Sequence, residues 1–292
     1  MGVRKYIDSI QRGLRRPEVR CHPLRAISRR LRWRWHWKRF PGTPIILDDW
    51  WRSLRIALPH TGNAALLYYR THSDENLLWL LQALLWPRMT FLDVGAHIGA
   101  FTLVGAKMVG NDGRVVALEP MPPCAQAIRR NAAMNAMTRV EVYDGALSNC
   151  SGRIGFISDS QRSGGWIVSG ADRVTFEAQC WTLDEFLDHA RLTRVDVMKL
   201  DTCGNELSAL RGGAQTLRDG RVGTLVMKLY NPDVTRDRFG YDSHESLVAL
   251  RDWGFQMKLV SQHEAFPISC PEDVDCHFDR LVYGHLLVAH KC

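Results

Sequence analysis

From residue 89 onward, short apolar segments alternate with segments of helical periodicity. The apolar segments cover residues 89–95, 113–120, 139–148, 195–201, 223–230, 255–260 and a last stretch within 281–290. Strands that alternate with helices are typical of a sheet with helices packed on both faces. We therefore expect an α/β fold with a doubly wound, mostly parallel seven-stranded sheet.

The chain divides into three predicted parts. Residues 1–45 form a basic arm rich in Arg and Trp, residues 46–88 a helical lead-in, and residues 89–292 the α/β domain. Within that domain, residues 151–182 interrupt the alternation of strands and helices and predict a β-hairpin or a long flap. A long insertion in a compact domain is usually a substrate-facing or mobile loop, so we expect Trp166 to lie on a lid.

The longest apolar stretch covers residues 77–86 and is too short to cross a membrane, which takes about 18 residues. It contains Gln82, and Pro87 follows it directly. Ser73, Asp74 and Glu75 precede it as helix N-cap signals. The stretch therefore predicts a helix of the protein core.

Positive charge is concentrated at the N-terminus. Residues 1–40 carry a net charge of +11, whereas residues 41–292 carry −4. Trp33, Trp35 and Trp37 alternate with cations there, which suits an anionic membrane surface. Two alternatives stay open: a basic tail without fixed structure, or a strand whose tryptophans pack on the domain. Nucleic acid is disfavoured as a partner, because the acidic remainder offers no second basic segment.

The eight cysteines form no C-x-x-C pair, and no apolar segment of a secretory signal lies near the N-terminus. We therefore expect reduced thiols and a cytoplasmic protein that contacts the inner membrane surface through residues 1–40. The spacing of Cys270, Cys276, His277 and Cys292 matches no usual structural zinc pattern, so no metal site is predicted.

The first predicted strand of the α/β domain ends in a glycine turn, D-V-G-A-H-I-G, between a strand and a helix. Gly95 and Gly99 allow a tight turn next to a helix N-terminus. Glu119 ends the second strand, 20 residues after Gly99, at the offset where an acid binds ribose hydroxyls in doubly wound folds. Since His97 replaces the middle glycine of the dinucleotide pattern, we expect a nucleoside without a diphosphate. A nicotinamide-dependent oxidoreductase is therefore the weaker alternative.

Six motifs in order resemble the FkbM family of S-adenosylmethionine-dependent methyltransferases, which have a Rossmann-like fold. They are DVGAHIG, ALEP, RRNAAMN, GALS, TLDEFL and VMKLDTCGNELSALRGG, within residues 70–260. The resemblance implies S-adenosyl-L-methionine as the cofactor and a sheet that ends in an antiparallel hairpin. It also implies O-methylation of a hydroxyl on a glycan, a glycolipid or a secondary metabolite, either a saccharide or another small-molecule acceptor.

The resemblance assigns cofactor-binding roles to residues that follow the first three strands. It places Asp93, Gly95 and Gly99 at the methionine part, Glu119 at the ribose, and Asp144 and Ala146 at the adenine. His97 stands where the family usually has Asn, and it retains hydrogen-bonding capacity.

The resemblance also makes Lys199, Asp201 and Glu206 the candidate catalytic residues. The two acids are candidate bases for the acceptor hydroxyl, and Lys199 is a candidate to orient its oxygen. Cys203 and Lys228 replace two glutamates that the family usually has, which leaves too few carboxylates for a divalent ion. Three interpretations stay open: an anionic acceptor that pairs with Lys228, a catalytically degenerate binding protein, or a Lys228 side chain at a sheet edge that points away.

Overall fold

The computed structural model describes residues 23–70, 74–158, 165–167, 174–261, 264–278 and 284–291. These residues fall into two compact units, one over 23–70 and one from residue 74 onward. The first half of the predicted basic arm, the flap residue Gly164 and Cys292 lie outside the described residues. Among the described residues, no helix combines the length and the apolar character needed to span a membrane.

The first unit contains two helices and a β-hairpin. Its elements are α1 (Pro23–Arg39), β1 (Ile45–Trp51), β2 (Leu54–Leu58) and α2 (Gly62–Arg70). The hairpin was not expected in a helical lead-in. Its turn residues Arg52 and Ser53 both have positive φ, 45° and 66°, as a tight hairpin turn requires. Neither is the Asn or Gly that normally marks such a turn in a sequence.

Helix α1 corrects the interpretation of the tryptophan segment as a strand. Trp33 and Trp37 are four residues apart, so they lie on one face of the helix. Trp33 is buried against Tyr68 and Tyr69 of α2, with ring centroids 5.3 and 6.1 Å away. Successive tryptophans of this segment are two residues apart, which is the period of a strand, while the first and the third are four apart, which is close to one helical turn. The sequence pattern is therefore compatible with both structures.

The second unit is built on an eight-stranded sheet in the order β13-β12-β14-β11-β10-β3-β4-β5. The strands are β3 (Thr90–Val94), β4 (Arg114–Leu118), β5 (Val140–Tyr143), β10 (Val195–Leu200), β11 (Val222–Tyr230), β12 (Phe255–Ser261), β13 (Glu264–Ile268) and β14 (Gly284–Lys291). Strands β3, β4, β5, β10 and β11 are parallel, while β12, β13 and β14 pair antiparallel. This confirms the doubly wound α/β fold.

The sheet has one strand more than the seven expected. The additional strand β13 lies at an edge and contains Pro267. A proline within an apolar run argues against a strand, except at a sheet edge where no N–H donor is needed. The edge position therefore accounts for the missed strand.

The helices of this unit pack around the sheet. They are α3 (Glu75–Leu84), α4 (Ala100–Val109), α5 (Pro122–Met134), α6 (Leu183–His189), α7 (Glu206–Arg211), α8 (Ala214–Arg218), α9 (Pro232–Phe239) and α10 (His244–Asp252), with a 3₁₀ helix over Pro271–His277. Leu92, Leu118, Leu200 and Leu229 of the sheet share one buried cluster with Phe186 of α6. This packing fixes the strand ends that carry the polar residues.

The insertion over 151–182 forms part of a second, smaller sheet in the order β6-β9-β7-β8. Its strands are β6 (Gly145–Leu147), β7 (Gly152–Ser158), β8 (Gly165–Ile167) and β9 (Phe176–Trp181). The single strand expected over 139–148 is therefore two strands, β5 and β6, that belong to different sheets.

Candidate active site

The candidate residues lie where β3, β4, β10 and β11 end. These parallel strands are neighbours in the sheet, with β3 between β10 and β4. Ligands of open α/β sheets bind at the carboxyl ends of the strands.

The turn after β3 has an unusual backbone. Gly95, His97 and Gly99 have φ angles of +74°, +53° and +83°. A Cβ atom on Gly95 would lie 1.9 Å from the carbonyl oxygen of Asp201, so no side chain fits there. The turn therefore runs directly against the segment that follows β10.

The carboxylate of Glu119 faces this turn. Its Oε2 accepts a hydrogen bond from the backbone N–H of His97 at 2.8 Å, and its Oε1 accepts one from Met121 at 2.9 Å. Burial raises the pKa of Glu119 to about 7, against the opposing effect of these two donors. Each oxygen of a carboxylate accepts more than one hydrogen bond, so both can still accept from a vicinal diol.

Asp93 and Lys199 form a buried ion pair between β3 and β10, with Nζ 2.9 Å from Oδ1. Lys199 also donates to the carbonyl oxygens of Val94 at 3.3 Å and Gly95 at 3.1 Å, and Thr102 donates to Asp93 Oδ2 at 2.6 Å. All three protons of the ammonium group are thus used inside the protein. These contacts argue against the predicted role of Lys199 in orienting an acceptor oxygen and favour a role in holding the glycine turn in position.

Glu206 is likewise occupied by internal hydrogen bonds. Its carboxylate accepts from the N–H and the hydroxyl of Thr202 at 2.7 and 3.1 Å, from the N–H of Gly204 at 3.0 Å and from the hydroxyl of Tyr241 at 3.4 Å. Burial, and next the charge of Asp201, raises the pKa of Glu206 to about 7. The residue shapes the loop between β10 and α7, which argues against its predicted role as a base.

Asp201 is the remaining candidate base, and it is partly exposed. The hydroxyl of Tyr230, at the end of β11, lies 3.5 Å from its Oδ1. Burial, together with the charge of Asp201, raises the pKa of Tyr230 well above its usual value, so the phenol stays protonated and donates. Asp201 thus retains acceptor capacity that Asp93 and Glu206 have largely lost.

Lys228 and Cys203 occupy the two positions where the resemblance led us to expect glutamate. Lys228 Nζ lies 3.2 Å from Asp74 Oδ2, while Asp74 Oδ1 caps α3 through the N–H of Leu77 at 3.1 Å. The structure therefore provides a partner for this cation. Strand β11 lies between β10 and β14, so the interpretation of Lys228 as a sheet-edge residue is wrong. Cys203 is exposed, in a turn with φ of +57°.

His97 presents a buried nitrogen to this region. Its Nε2 atom has no hydrogen-bond partner among the residues that the structure describes. Burial, and next the charge of Lys199, lowers the pKa of His97 to about 4, so the imidazole is neutral at physiological pH. A buried polar atom without a protein partner marks a position where a bound molecule or water supplies the hydrogen bond.

The segment that contains Asp144 and Ala146 contacts Glu119 through a backbone hydrogen bond. The N–H of Gly145 donates to the carbonyl oxygen of Glu119 at 3.1 Å. The Asp144 side chain is exposed and pairs with Arg129 at 2.7 Å, and Ala146 is buried in the core of the small sheet. Their predicted contact with adenine remains a prediction.

Sequence reasoning missed three residues that shape the site. Thr102 and Tyr241 bind the carboxylates of Asp93 and Glu206, and Asp74, expected only as a helix cap, also pairs with Lys228. Thr102 follows Asp93 by nine residues across the turn and carried no distinguishing pattern. Only the fold brings Tyr241 and Asp74 to their partners.

A doubly wound sheet with a glycine turn facing an acidic residue defines an α/β protein of the nucleoside-binding class. Residues 93–257, more than half of the chain, match the family model described as the methyltransferase FkbM domain. The chain therefore belongs to the FkbM methyltransferase family.

Two curated proteins and a solved structure are similar to parts of the chain. The "Probable cobalt-precorrin-6B C(15)-methyltransferase (decarboxylating)" of Sulfolobus acidocaldarius is 30% identical over 95 residues, which are 32% of this chain and 50% of that protein. A protein-L-isoaspartate O-methyltransferase of Triticum aestivum is 37% identical over 87 residues, 29% of this chain and 37% of that protein. The chain thus spans half the length of these relatives or less. The methyltransferase FkbM of Methylobacillus flagellatus is 17% identical, with a TM-score of 0.41 over 84% of this chain and 56% of that one.

S-adenosyl-L-methionine is the cofactor that family membership implies, and three features of the site fit it. Glu119 offers both carboxylate oxygens to a ribose diol, and Gly95 and Gly99 open the turn beside it. The unpartnered Nε2 of His97 adds a buried hydrogen-bonding atom. These residues would hold the nucleoside, and Lys199 would fix the turn that approaches it.

We expect cofactor affinity to depend on the ionisation of Glu119. Its pKa near 7 means that the carboxylate, the form that accepts two hydroxyl donors, grows from a minority to the majority between pH 6 and 8. S-adenosylmethionine affinity should therefore rise with pH over this range, by at most about tenfold per unit on the acidic side. Glu119→Gln should bind about 10- to 100-fold more weakly at pH 8.

Calorimetry at several pH values measures both effects. Glu206 also has a pKa near 7, so the pH dependence of cofactor affinity in the Glu119→Gln variant decides which of the two carboxyl groups causes it. If affinity changes with pH in this variant as it does in the wild type, Glu119 does not bind the ribose.

Proposed function

We propose that this protein is an S-adenosylmethionine-dependent O-methyltransferase that acts on a hydroxyl of a glycan, a glycolipid or a secondary metabolite. The observation that supports the proposal is the position of Asp201, with its accessibility and its hydrogen bonding. It lies next to the glycine turn, it is partly exposed, and among the described residues its carboxylate accepts a side-chain hydrogen bond from the Tyr230 hydroxyl at 3.5 Å. A hydroxyl acceptor needs such a base, because its proton must leave as the new bond forms.

Asp201 takes the proton of the acceptor hydroxyl in this mechanism. When bound, S-adenosylmethionine would supply a sulfonium methyl group whose carbon the acceptor oxygen attacks in line with the departing sulfur, so that the O–CH₃ bond would form as the S–CH₃ bond breaks and leave a methyl ether and a neutral thioether. Tyr230 orients the Asp201 carboxylate through its hydroxyl, and the Lys199–Asp93 pair holds the turn beside it.

A cytoplasmic site of action, at the inner membrane surface, belongs to the same proposal. Methylation of a glycolipid or of a lipid-linked saccharide would take place there. A soluble secondary metabolite is the alternative acceptor, and the proposed chemistry of Asp201 is the same for both.

Transfer of a labelled methyl group tests the proposal directly. The full chain is incubated with methyl-labelled S-adenosylmethionine and a panel of saccharides, glycolipids and hydroxylated natural products, followed by mass spectrometry. A mass gain of one methyl group on an acceptor oxygen is the expected result. Transfer only to nitrogen or carbon, with the hydroxyl acceptors unchanged, would contradict O-methylation.

Asp201→Asn should lower kcat by about 10²- to 10⁴-fold, because the amide cannot accept the hydroxyl proton. Cofactor affinity should change by less than about threefold, since the substitution keeps the size of the side chain. Asp219→Asn is the matched control: that exposed carboxylate is bonded to Gln215 within one helical turn, and its loss should leave kcat unchanged. Equal kcat values for wild type and Asp201→Asn would assign the base elsewhere.

A binding protein without catalysis is the second candidate, favoured by Cys203 and by Lys228, which is paired with Asp74 instead of being an acid. This candidate predicts tight cofactor binding with no transfer to any acceptor of the panel. Any measured turnover of the wild type rejects it.

A further inference from the structure

We propose that helix α1 docks on an anionic membrane surface through an apolar stripe that faces away from its packed side. The stripe consists of Leu24, Ile27, Leu31 and Trp35, with exposed fractions of 81, 54, 61 and 63%. Their spacings of three, four and four residues place all four side chains on one face of the helix. The inference is independent of the methyltransferase chemistry.

The opposite face of α1 is already used inside its own unit. Trp33 is buried against Tyr68 and Tyr69, and the Trp37 ring stacks on His60 at 4.7 Å. The helix is therefore anchored by one face while it presents the stripe on the other. An anchored helix loses less conformational freedom on docking than a flexible tail would.

Cations border the stripe on both sides. Arg30, Arg34 and Lys38 form one row at a spacing of four residues, and Arg32 and Arg39 lie along the other edge, seven residues apart; all five are exposed. The sequence of α1 contains seven Arg and Lys residues and no acidic residue. An apolar strip between rows of cations is complementary to acyl chains beneath anionic headgroups.

Lipid fits this surface better than nucleic acid does. The leucine, isoleucine and tryptophan side chains need an apolar medium to leave water, and a phosphate backbone offers none. Tryptophan is moreover a residue that concentrates at the membrane interface. The cations alone would suit either polyanion, so the apolar stripe decides between them.

Vesicle co-sedimentation of the full chain tests the proposal. We expect binding to vesicles of phosphatidylcholine and phosphatidylglycerol at a ratio of about three to one, and little binding to phosphatidylcholine alone. Each cation near an anionic surface contributes about fivefold to the partition coefficient. Arg32→Gln together with Arg34→Gln should therefore weaken binding about 25-fold, and raising the salt concentration should weaken it too.

Substitution of single tryptophans distinguishes docking through the stripe from non-specific adsorption of exposed apolar side chains to vesicles. Trp35→Asn should weaken vesicle binding about tenfold, because the variant lacks the apolar ring that moves from water into the membrane. Trp86→Asn is the matched control: Trp86, in the second unit, is also 63% exposed but lies outside α1. Its vesicle binding should equal that of the wild type.

Three results would overturn the proposal. One is equal loss of binding in Trp35→Asn and Trp86→Asn. Another is failure to bind anionic vesicles while a double-stranded oligonucleotide is bound in a Trp35-dependent way. The last is a dimer in sedimentation velocity that Trp35→Asn dissociates, without any vesicle binding, which would assign the stripe to a second copy of the chain.

Discussion

Lys199→Met should destabilise the protein by about 3–5 kcal/mol, the usual cost of removing one partner of a buried ion pair. The Asp93 carboxylate is completely buried, and of its donors in the described part of the chain it would keep only Thr102. The carbonyl oxygens of Val94 and Gly95 would lose a donor as well. Urea unfolding monitored by circular dichroism measures the free energy of unfolding.

The pair between Lys228 and Asp74 provides the matched control. Its side chains are 23 and 26% exposed, against 4 and 0% for Lys199 and Asp93. Lys228→Met should therefore cost about 1 kcal/mol or less. The same cost for both lysine variants would mean that burial does not set the strength of the Lys199 pair.

A double-mutant cycle separates the ion pair from the packing of the lysine stem. Asp93→Asn alone leaves the Lys199 charge without its partner, so it should be costly too. The double variant Lys199→Met, Asp93→Asn should be less destabilised than the sum of the two single variants, by at least about 1 kcal/mol. Strict additivity would indicate that the two charges do not interact.

The contribution of Lys199 to the free energy of unfolding should stay constant throughout the neutral pH range. Burial alone would lower the pKa of Lys199, but the charges of Asp93 and Asp201 raise it above the usual lysine value. A raised pKa in the folded state stabilises the fold at every pH below the unfolded value. That stability is lost only as the pH rises through the folded pKa, in the alkaline range.

The parallel sheet could be predicted from sequence because its strands are buried on both faces. Val115, Val116, Ala117 and Leu118 of β4 are all inaccessible to solvent, which requires an uninterrupted apolar run. Edge elements do not have that constraint. The hairpin β1–β2 and the edge strand β13 therefore escaped prediction, whereas the strands next to the site did not.

The roles of the acids could not be predicted in the same way. From the sequence, the resemblance assigns Asp93 to the cofactor and leaves Asp201 and Glu206 as two candidate bases, with nothing to rank one above the other. The difference among the three acids comes from donors such as Lys199 and Tyr241, which lie 106 and 35 residues away from the acids they bind. Hydrogen-bond saturation depends on tertiary contacts, so only the fold distinguishes a candidate base from a structural carboxylate.

Gly95→Ala should abolish measurable cofactor binding, with a loss of more than about 100-fold in affinity. The new Cβ atom would lie 1.9 Å from the carbonyl oxygen of Asp201, a distance that backbone atoms must relieve by moving apart. The turn after β3 and the segment after β10 would both shift, and with them the N–H of His97 that binds Glu119. Calorimetry with S-adenosylmethionine measures the loss.

Gly240→Ala separates this clash from simple backbone strain. Gly240 has φ of +73°, against +74° for Gly95, but a Cβ atom there meets nothing within 4 Å. Both variants therefore carry the cost of a left-handed alanine, about 1–2 kcal/mol of stability. Only Gly95→Ala should also lose the cofactor. Equal affinities of the two variants for S-adenosylmethionine would contradict this prediction. They would mean that the turn after β3 can move away from Asp201 without loss of nucleoside binding.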